Sequence, residues 1–558
     1  MLNLKPEGLT AEHCAAGMNK NRFERYSLFR DTIVCLVMGI LFTALVINYS
    51  EKSGKLAFPP WYDDSHSMVE GALRLMTLQQ GGLNAAWIEY LARPPHSFLH
   101  YYWTSLLYAL FGMNDSVVYW GNSVFVFLAL LAMSSLLGRV GFAKIPYLVS
   151  FLCVPVIFNV IYDFRSECAL APILFCASSL MVLAVLNPEK IWRYTILSGL
   201  LFALGFGIKP AMFPYTLGMM GAASLVWLLF TPDWKRMVGV NFPGILKILY
   251  PVVVLCAIAI LPFSSHYWFN KTTIWGYIES IAFKSDFYRQ GGDFWSQATY
   301  HLSGFPAMLN LGIYKWPLLL LAGGAAFCTF FLRNAGDRRL AQVIRCLFFL
   351  TCCSYLGIAV NQMVQNYFCM TFNLLLAATA LTGLAWGASI LPKKWAFVPP
   401  LILALGFLFV WRIPVSQDYV AETAKQGAGA VAWRKEAPAR VFEVIRREIP
   451  AHTSPVVWFG CHGWLDGNTL SWEAIKHGLK WRALSYYERS PSIPGQPPDN
   501  VDFVVMCENG LSGLSDLPLN PGIPEMILNI EKNPTWSKLA TLSDPNGKLV
   551  LIYKKSAL

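Results

Sequence analysis

Apolar residues in this chain come in uninterrupted blocks close to twenty residues long. They lie at about 31–49, 117–138, 145–161, 168–186, 194–208, 211–230, 246–268, 306–332, 342–360, 366–390 and 396–413. A helix needs about 20 such residues to cross a hydrocarbon core about 30 Å thick. The blocks are continuous, without the alternation of a lipid-facing strand, which excludes a β-barrel. With 55% hydrophobic and 14% charged residues, the chain reads as an all-α polytopic membrane domain of about eleven transmembrane helices. The segment at 97–111, "SFLHYYWTSLLYALF", is shorter and carries His100. It is expected to lie in the interface.

Orientation follows from charge. The net charge of +11 is scattered through short loops, the positive-inside pattern of a membrane protein and not a nucleic-acid surface. The polar, basic segment 1–29 is a cytoplasmic tail, and the block after it reads as a retained signal-anchor. If 97–111 does not cross, the loops holding Arg139 and Lys144, Lys190 and Arg193, Lys235 and Arg236, Arg338 and Arg339, and Lys393 and Lys394 all fall inside. If it crosses, all fall outside. The first arrangement places the N-terminus in the cytoplasm and the loops 50–116 and 267–305 on the outer face. No Walker A motif is present, and the cytoplasmic loops leave no room for a nucleotide-binding domain.

After Trp411 the composition shifts, and 414–558 reads as a small soluble α/β domain outside the cytoplasm. Helices are expected at about 436–448, 471–479 and 524–531. Strands are expected at 455–460, 481–485 and 502–506, with a closing hairpin around "DPNG" at 544–547. His452, His462 and Asp466 lack convincing metal spacing and read as loop residues. Among thirteen cysteines, Cys461 and Cys507 each follow a predicted strand of this domain. Two buried thiols or a disulfide between adjacent strands both fit them.

Four outer-face motifs carry the chemistry. "PPWYDDSHSMVEGALRL" (59–75) puts Asp63 and Asp64 at the start of a helix expected from about Ser65, where the helix dipole favours carboxylates. One of the two would suffice as a cap, and Glu70 with Arg74 reads as an ordinary i,i+4 pair. "ARPPHSFLHYYWTSLLYALFG" (92–112) brings Arg93 and His96 to the entry of the interfacial helix. "YDFRSE" (162–167) holds Asp163 and Arg165. "GFGIKP" ends an apolar helix at Lys209, which a snorkelling lysine at a helix C-terminus also explains.

In order and sidedness these motifs resemble the GT-C glycosyltransferases that use polyprenyl-phosphate sugars. The branch they resemble is that of the protein O-mannosyltransferases and lipid A aminoarabinose transferases. The chain departs from the pattern in having Asp63-Asp64 for Asp-Glu, and Arg93 for the Lys or His before the two prolines. The resemblance covers about 30–413. It implies that Asp63 is the general base with Asp64 beside it, that Arg93 and His96 line the site, that Asp163 is the second acidic position, and that Lys209 lies near the donor phosphate. It further implies a bacterial inner-membrane enzyme with a periplasmic C-terminal domain, which transfers a sugar with inversion to an envelope glycan, lipid or protein.

Residue chemistry agrees with this. A carboxylate within reach can take the proton of an attacking hydroxyl, and a phosphate leaving group needs cations. Arg165, Lys209, Lys271, Lys284, Arg289 and His301 are those on the outer face. The loop 267–305 reads either as a mobile cover or as an interfacial helix with aromatic anchors. An oxygen-rich set at Asp63, Asp64, His66 and Asp163 would suit Mg or Mn, but no metal or other cofactor is expected. A lipid or glycan transporter is the rival class. It calls for mid-membrane charges and paired broken helices, whereas the charges here gather on one face.

Overall fold

The computed structural model describes residues 11–60, 63–92, 98–138, 144–231, 242–279, 294–300, 302, 315–331, 336–359, 366–390, 395–411, 427–450, 453–461, 465–485, 496–507 and 523–556. Among these, eight helices are long and apolar enough to span a membrane: Phe29–Lys52, Val117–Leu137, Ser166–Leu186, Pro188–Ile208, Pro210–Phe230, Ile248–Glu279, Arg338–Ala359 and Tyr367–Ala388. A bent pair, Lys144–Leu152 with Pro155–Tyr162, forms a ninth. Two shorter apolar helices, Lys315–Phe331 and Val398–Leu408, stand in the two remaining apolar blocks. The bend of 59° falls at Pro155, whose missing N–H and ring disfavour a continuous helix.

Helices Ser166–Leu186 and Tyr367–Ala388 are buried over nearly all their length and form the centre of the bundle. The others ring them and expose leucine, phenylalanine and tryptophan outward. Such a surface is stable only where lipid replaces water.

The two ends of the bundle carry different elements. At one end Lys144 Nζ bonds Asp31 at 2.6 Å. There the Arg339 guanidinium donates to the carbonyls of Ser135 and Leu136 at 2.9 and 3.2 Å. At the other end the first helix, α1 (Ala11–Ser53), passes into a short 3-10 turn, Lys55–Ala57. Next come α2 (Asp63–Ala92) and α3 (Phe98–Phe111), both at this end. The segment expected to be interfacial is thus a 14-residue helix, too short to span.

Helix α2 starts two residues earlier than the sequence reading placed it, at Asp63, and kinks at Gly82, whose φ of 65° is one that L side chains rarely adopt. Its first half lies tight on α3. A β-carbon on Gly71 would stand 2.4 Å from Thr104, and the Ser105 hydroxyl donates to the Gly71 carbonyl at 2.7 Å. Only glycine allows that approach.

The C-terminal domain has a five-stranded sheet in the order β2-β1-β3-β5-β4. The strands are β1 (Val456–Phe459), β2 (Arg482–Ser485), β3 (Phe503–Cys507), β4 (Trp536–Ser543) and β5 (Leu549–Lys555). β1 runs parallel to β2 and β3, while β5 is antiparallel to β3 and to β4. The first helix of the domain begins at Ala428, earlier than expected, because the alanine-rich stretch before Trp433 continues its turns. Cys461 and Cys507 form a disulfide, with Cα atoms 5.2 Å apart. Of the two readings open for these cysteines, the structure has the bridge.

This domain sits on the end of the bundle that carries α2 and α3. Trp472, on helix Gly467–Lys476, stacks on Tyr108 of α3 with ring centroids 5.3 Å apart. Its indole N–H donates to Asp115 at 2.7 Å. Lys435 Nζ donates to the Leu56 carbonyl at 2.7 Å. Asp466, expected as a loop residue, is instead buried and caps helix Gly467–Lys476 in a reciprocal box with Thr469.

Candidate active site

The centre of the outer end is a lysine between two aspartates. Lys55 Nζ lies 2.6 Å from Asp64 Oδ2 and 2.6 Å from Asp163 Oδ1. Three separate elements meet here: the turn after α1, the first turn of α2, and the break after helix Pro155–Tyr162. That break is pinned by Asn122, whose amide donates to the carbonyls of Val160 and Asp163 at 2.8 and 3.3 Å. The Lys55 N–H donates to the Tyr162 hydroxyl at 3.0 Å.

Asp64 is the hub. Its Oδ2 also accepts the Tyr119 hydroxyl at 2.6 Å and the Phe164 N–H at 3.2 Å. The Asp64 side chain is 1% exposed, and that of Asp163 is 13%. A carboxylate held this deep is retained only when paired and hydrogen-bonded, and Asp64 has both. Among the described residues its partners belong to other elements of the fold and not to its own helix. Asp63 occupies the first helical position of α2, immediately before Asp64.

A second ion pair flanks the first. Lys209, at the C-cap of helix Ile191–Ile208, lies 3.0 Å from Glu167. Glu167 stands in the first turn of the central helix Ser166–Leu186. Between the two pairs along the chain, the Arg165 guanidinium stacks on the Tyr367 ring at 4.0 Å. Such stacking leaves the edge of the guanidinium able to donate in plane.

His100 of α3 completes the cluster. Its ring packs on Phe164 with centroids 4.5 Å apart, and it is 1% exposed. Burial pushes its pKa down to about 4, with Glu167 opposing and Lys209 adding to the fall. The imidazole is therefore neutral near pH 7. Neither ring nitrogen has a hydrogen-bond partner among the described residues, and the same holds for Asp64 Oδ1.

Of the residues singled out in the sequence, the structure brings together Asp64, Asp163, Arg165 and Lys209. Lys271 stands exposed on helix Ser264–Glu279 with its ammonium 4.2 Å over Trp268. Arg93, His96, Lys284, Arg289 and His301 lie outside the described residues, as does the side chain of Asp63. Arg74 pairs with Glu70 at 2.8 Å, the ordinary i,i+4 contact expected of them. Among the described residues no three His, Cys, Asp or Glu side chains are grouped to hold a metal ion.

Sequence reasoning missed Lys55, Tyr119 and the role of Glu167. Lys55 had one available signal: a lone cation between the first span and an acidic pair needs a counter-ion if the turn is buried. Tyr119 had none, because a tyrosine at the start of an apolar helix reads as an interfacial anchor.

Comparison with known proteins bears on the fold. Residues 95–267 match the family model of dolichyl-phosphate-mannose-protein mannosyltransferase. No curated protein sequence matches. Among solved structures, ArnT from Cupriavidus metallidurans bound to undecaprenyl phosphate is similar with a TM-score of 0.53 at 12% identity, covering 92% of this chain and 97% of that one. The same protein in the apo state is similar with a TM-score of 0.53 at 13% identity over the same shares of the two chains. The chain thus has the fold of ArnT, and its residues 95–267 carry the signature of the dolichyl-phosphate-mannose-protein mannosyltransferase family.

Proposed function

We propose that this protein transfers a sugar, with inversion, from a polyprenyl-phosphate carrier to an envelope glycan, lipid or protein on the outer face of a bacterial inner membrane. The observation that carries the reading is the buried Asp64–Lys55–Asp163 cluster, flanked by Arg165 and Lys209, at one end of a fold shared with ArnT. ArnT binds undecaprenyl phosphate, and a carrier of that kind is the donor lipid we assign here. The N-terminus is then cytoplasmic and the C-terminal domain periplasmic, a reading supported by Lys144 and Arg339 at the opposite end.

In the proposed reaction the acceptor hydroxyl attacks the anomeric carbon as the bond from that carbon to the phosphate oxygen breaks. The new bond joins acceptor oxygen to sugar, and the electron pair of the broken bond leaves with polyprenyl phosphate. The acceptor proton passes to a carboxylate. Asp63 is the assigned base, because Asp64 Oδ2 is already engaged by Lys55, Tyr119 and the Phe164 N–H. Asp64 and Lys55 hold the start of α2 in place, so that Asp63 is presented at the helix N-terminus, where the dipole favours its ionised form. Lys209 and Arg165 are the cations assigned to the leaving phosphate.

The test is to incubate purified protein in nanodiscs with undecaprenyl-phosphate sugars and an envelope-lipid extract. Release of undecaprenyl phosphate together with a glycosylated product is the expected result. Movement of the intact lipid-linked sugar between leaflets, with no release, would place the protein among the transporters instead.

A further inference from the structure

The least explained group in the cluster is His100. A buried donor or acceptor without a partner costs about 1–3 kcal/mol, and native folds retain few of them. Here both ring nitrogens of one histidine are unpartnered among the described residues, and Asp64 Oδ1 shares that state. His100 and Asp64 both meet Phe164: the imidazole packs on its ring, and the carboxylate accepts its N–H. The charged groups that act on His100 are Glu167, Lys209 and Asp64. Through Phe164, His100 lies against the acidic hub, and Glu167 of the second pair stands three residues further along the chain. That pair is the more open side of the cluster, with Glu167 12% and Lys209 18% exposed.

We infer that His100 is the residue that reads the donor sugar, accepting from one of its hydroxyls and donating to another. The inference rests on the glycosyl-transfer reading. If the acid pair takes the acceptor proton and Lys209 meets the phosphate, the group set among them faces the pyranose. A neutral imidazole offers one N–H donor and one bare nitrogen acceptor, the complement of a hydroxyl pair. It carries no charge with which to hold a phosphate. Packing on Phe164 restricts the ring plane, so the two nitrogens point in set directions.

Binding separates this inference from the transfer reading. Native mass spectrometry on the full-length protein would compare bare undecaprenyl phosphate with synthetic undecaprenyl-phosphate mannose, glucose, galactose and 4-amino-4-deoxyarabinose. Wild-type protein should hold at least one sugar-bearing lipid more tightly than the bare carrier. His100→Phe keeps the ring packing and removes both hydrogen bonds. It should weaken that lipid about 10-fold, the loss expected for one to two hydrogen bonds, and leave the bare carrier unchanged. His100→Gln, with one donor and one acceptor, should retain part of the preference. If His100→Phe does not fold, His100→Ala replaces it in the same comparison.

An unchanged preference in the folded Phe or Ala variant overturns the inference, even if the variant is less stable, since a buried bridging water would then be the partner. A wild-type protein that holds no sugar-bearing lipid above the bare carrier overturns it too. Intact discrimination without any transfer by the wild type would instead remove the transferase reading and leave His100 as a sugar contact.

Discussion

Lys55 and Asp64 form a buried ion pair at 2.6 Å between the end of the first span and the start of α2. Both side chains are 5% exposed or less. Breaking a buried pair by removing one partner typically costs about 3–5 kcal/mol, because the other charge stays buried. Lys55→Met leaves two carboxylates facing each other without their cation. It should lower the melting temperature in detergent by several degrees and abolish transfer. Adding Asp64→Asn to Lys55→Met should restore part of the stability and none of the activity. An unchanged melting temperature in Lys55→Met would remove the pair from its structural role.

His100 sets a pH dependence. Its folded pKa, about 4, lies below the ordinary value of 6.5, so between those values the unfolded chain binds more protons than the folded one. Stability then rises with pH from about 4 to 6.5 and is level above that, with a contribution on the order of 3 kcal/mol lost as pH falls through the window. Melting temperature should rise with pH across the window for wild type, and the curve of His100→Phe should be flatter there. Identical slopes would show that His100 does not titrate on unfolding.

The Cys461–Cys507 bridge joins the ends of β1 and β3 and closes a sequence separation of 46 residues. Bridges of this kind stabilise by about 2–4 kcal/mol and persist in oxidising compartments. Cys461→Ser should lower the stability of the C-terminal domain by that order. A reporter active only outside the cytoplasm should work when fused after Leu558. Alkylation under non-reducing conditions should leave both cysteines unlabelled, and finding both labelled would contradict the bridge.

Trp472 holds the C-terminal domain to Tyr108 of α3 and to Asp115 in the turn after it. It is 1% exposed, so its removal leaves a large void. Trp472→Ala should speed release of the C-terminal fragment in limited proteolysis several-fold, while β1 to β5 stay folded. Asp115→Asn should have a smaller effect, because the amide oxygen still accepts the indole N–H. Equal proteolysis of wild type and Trp472→Ala would place the docking elsewhere.

The spans were legible because the need to satisfy backbone groups in lipid leaves helices as the only continuous solution for such blocks. That 98–111 forms a helix too short to span was legible from the length of its apolar block. The sheet was readable from alternating strands and the "DPNG" turn. The site was readable only in part. Asp64, Asp163 and Lys209 stand in motifs with punctuation around them, whereas Lys55 and Tyr119 owe their roles to partners 108 and 55 residues away in sequence. No local pattern encodes a contact of that range. The bend at Pro155 was written in the chain, yet the apolar block runs through it unbroken, and periodicity cannot show where a helix changes direction.

The central claim is that the acid pair at the start of α2 supports base-assisted glycosyl transfer. The most direct measurement is release of undecaprenyl phosphate from a lipid-linked sugar by wild type, Asp63→Asn and Asp64→Asn, each at matched membrane level. Asparagine keeps the shape of aspartate but takes no proton. The account predicts that Asp63→Asn loses about 10²–10⁴ in rate with its melting temperature unchanged, while Asp64→Asn loses both stability and rate through the hub with Lys55. Full turnover in Asp63→Asn, with wild-type stability, would contradict it.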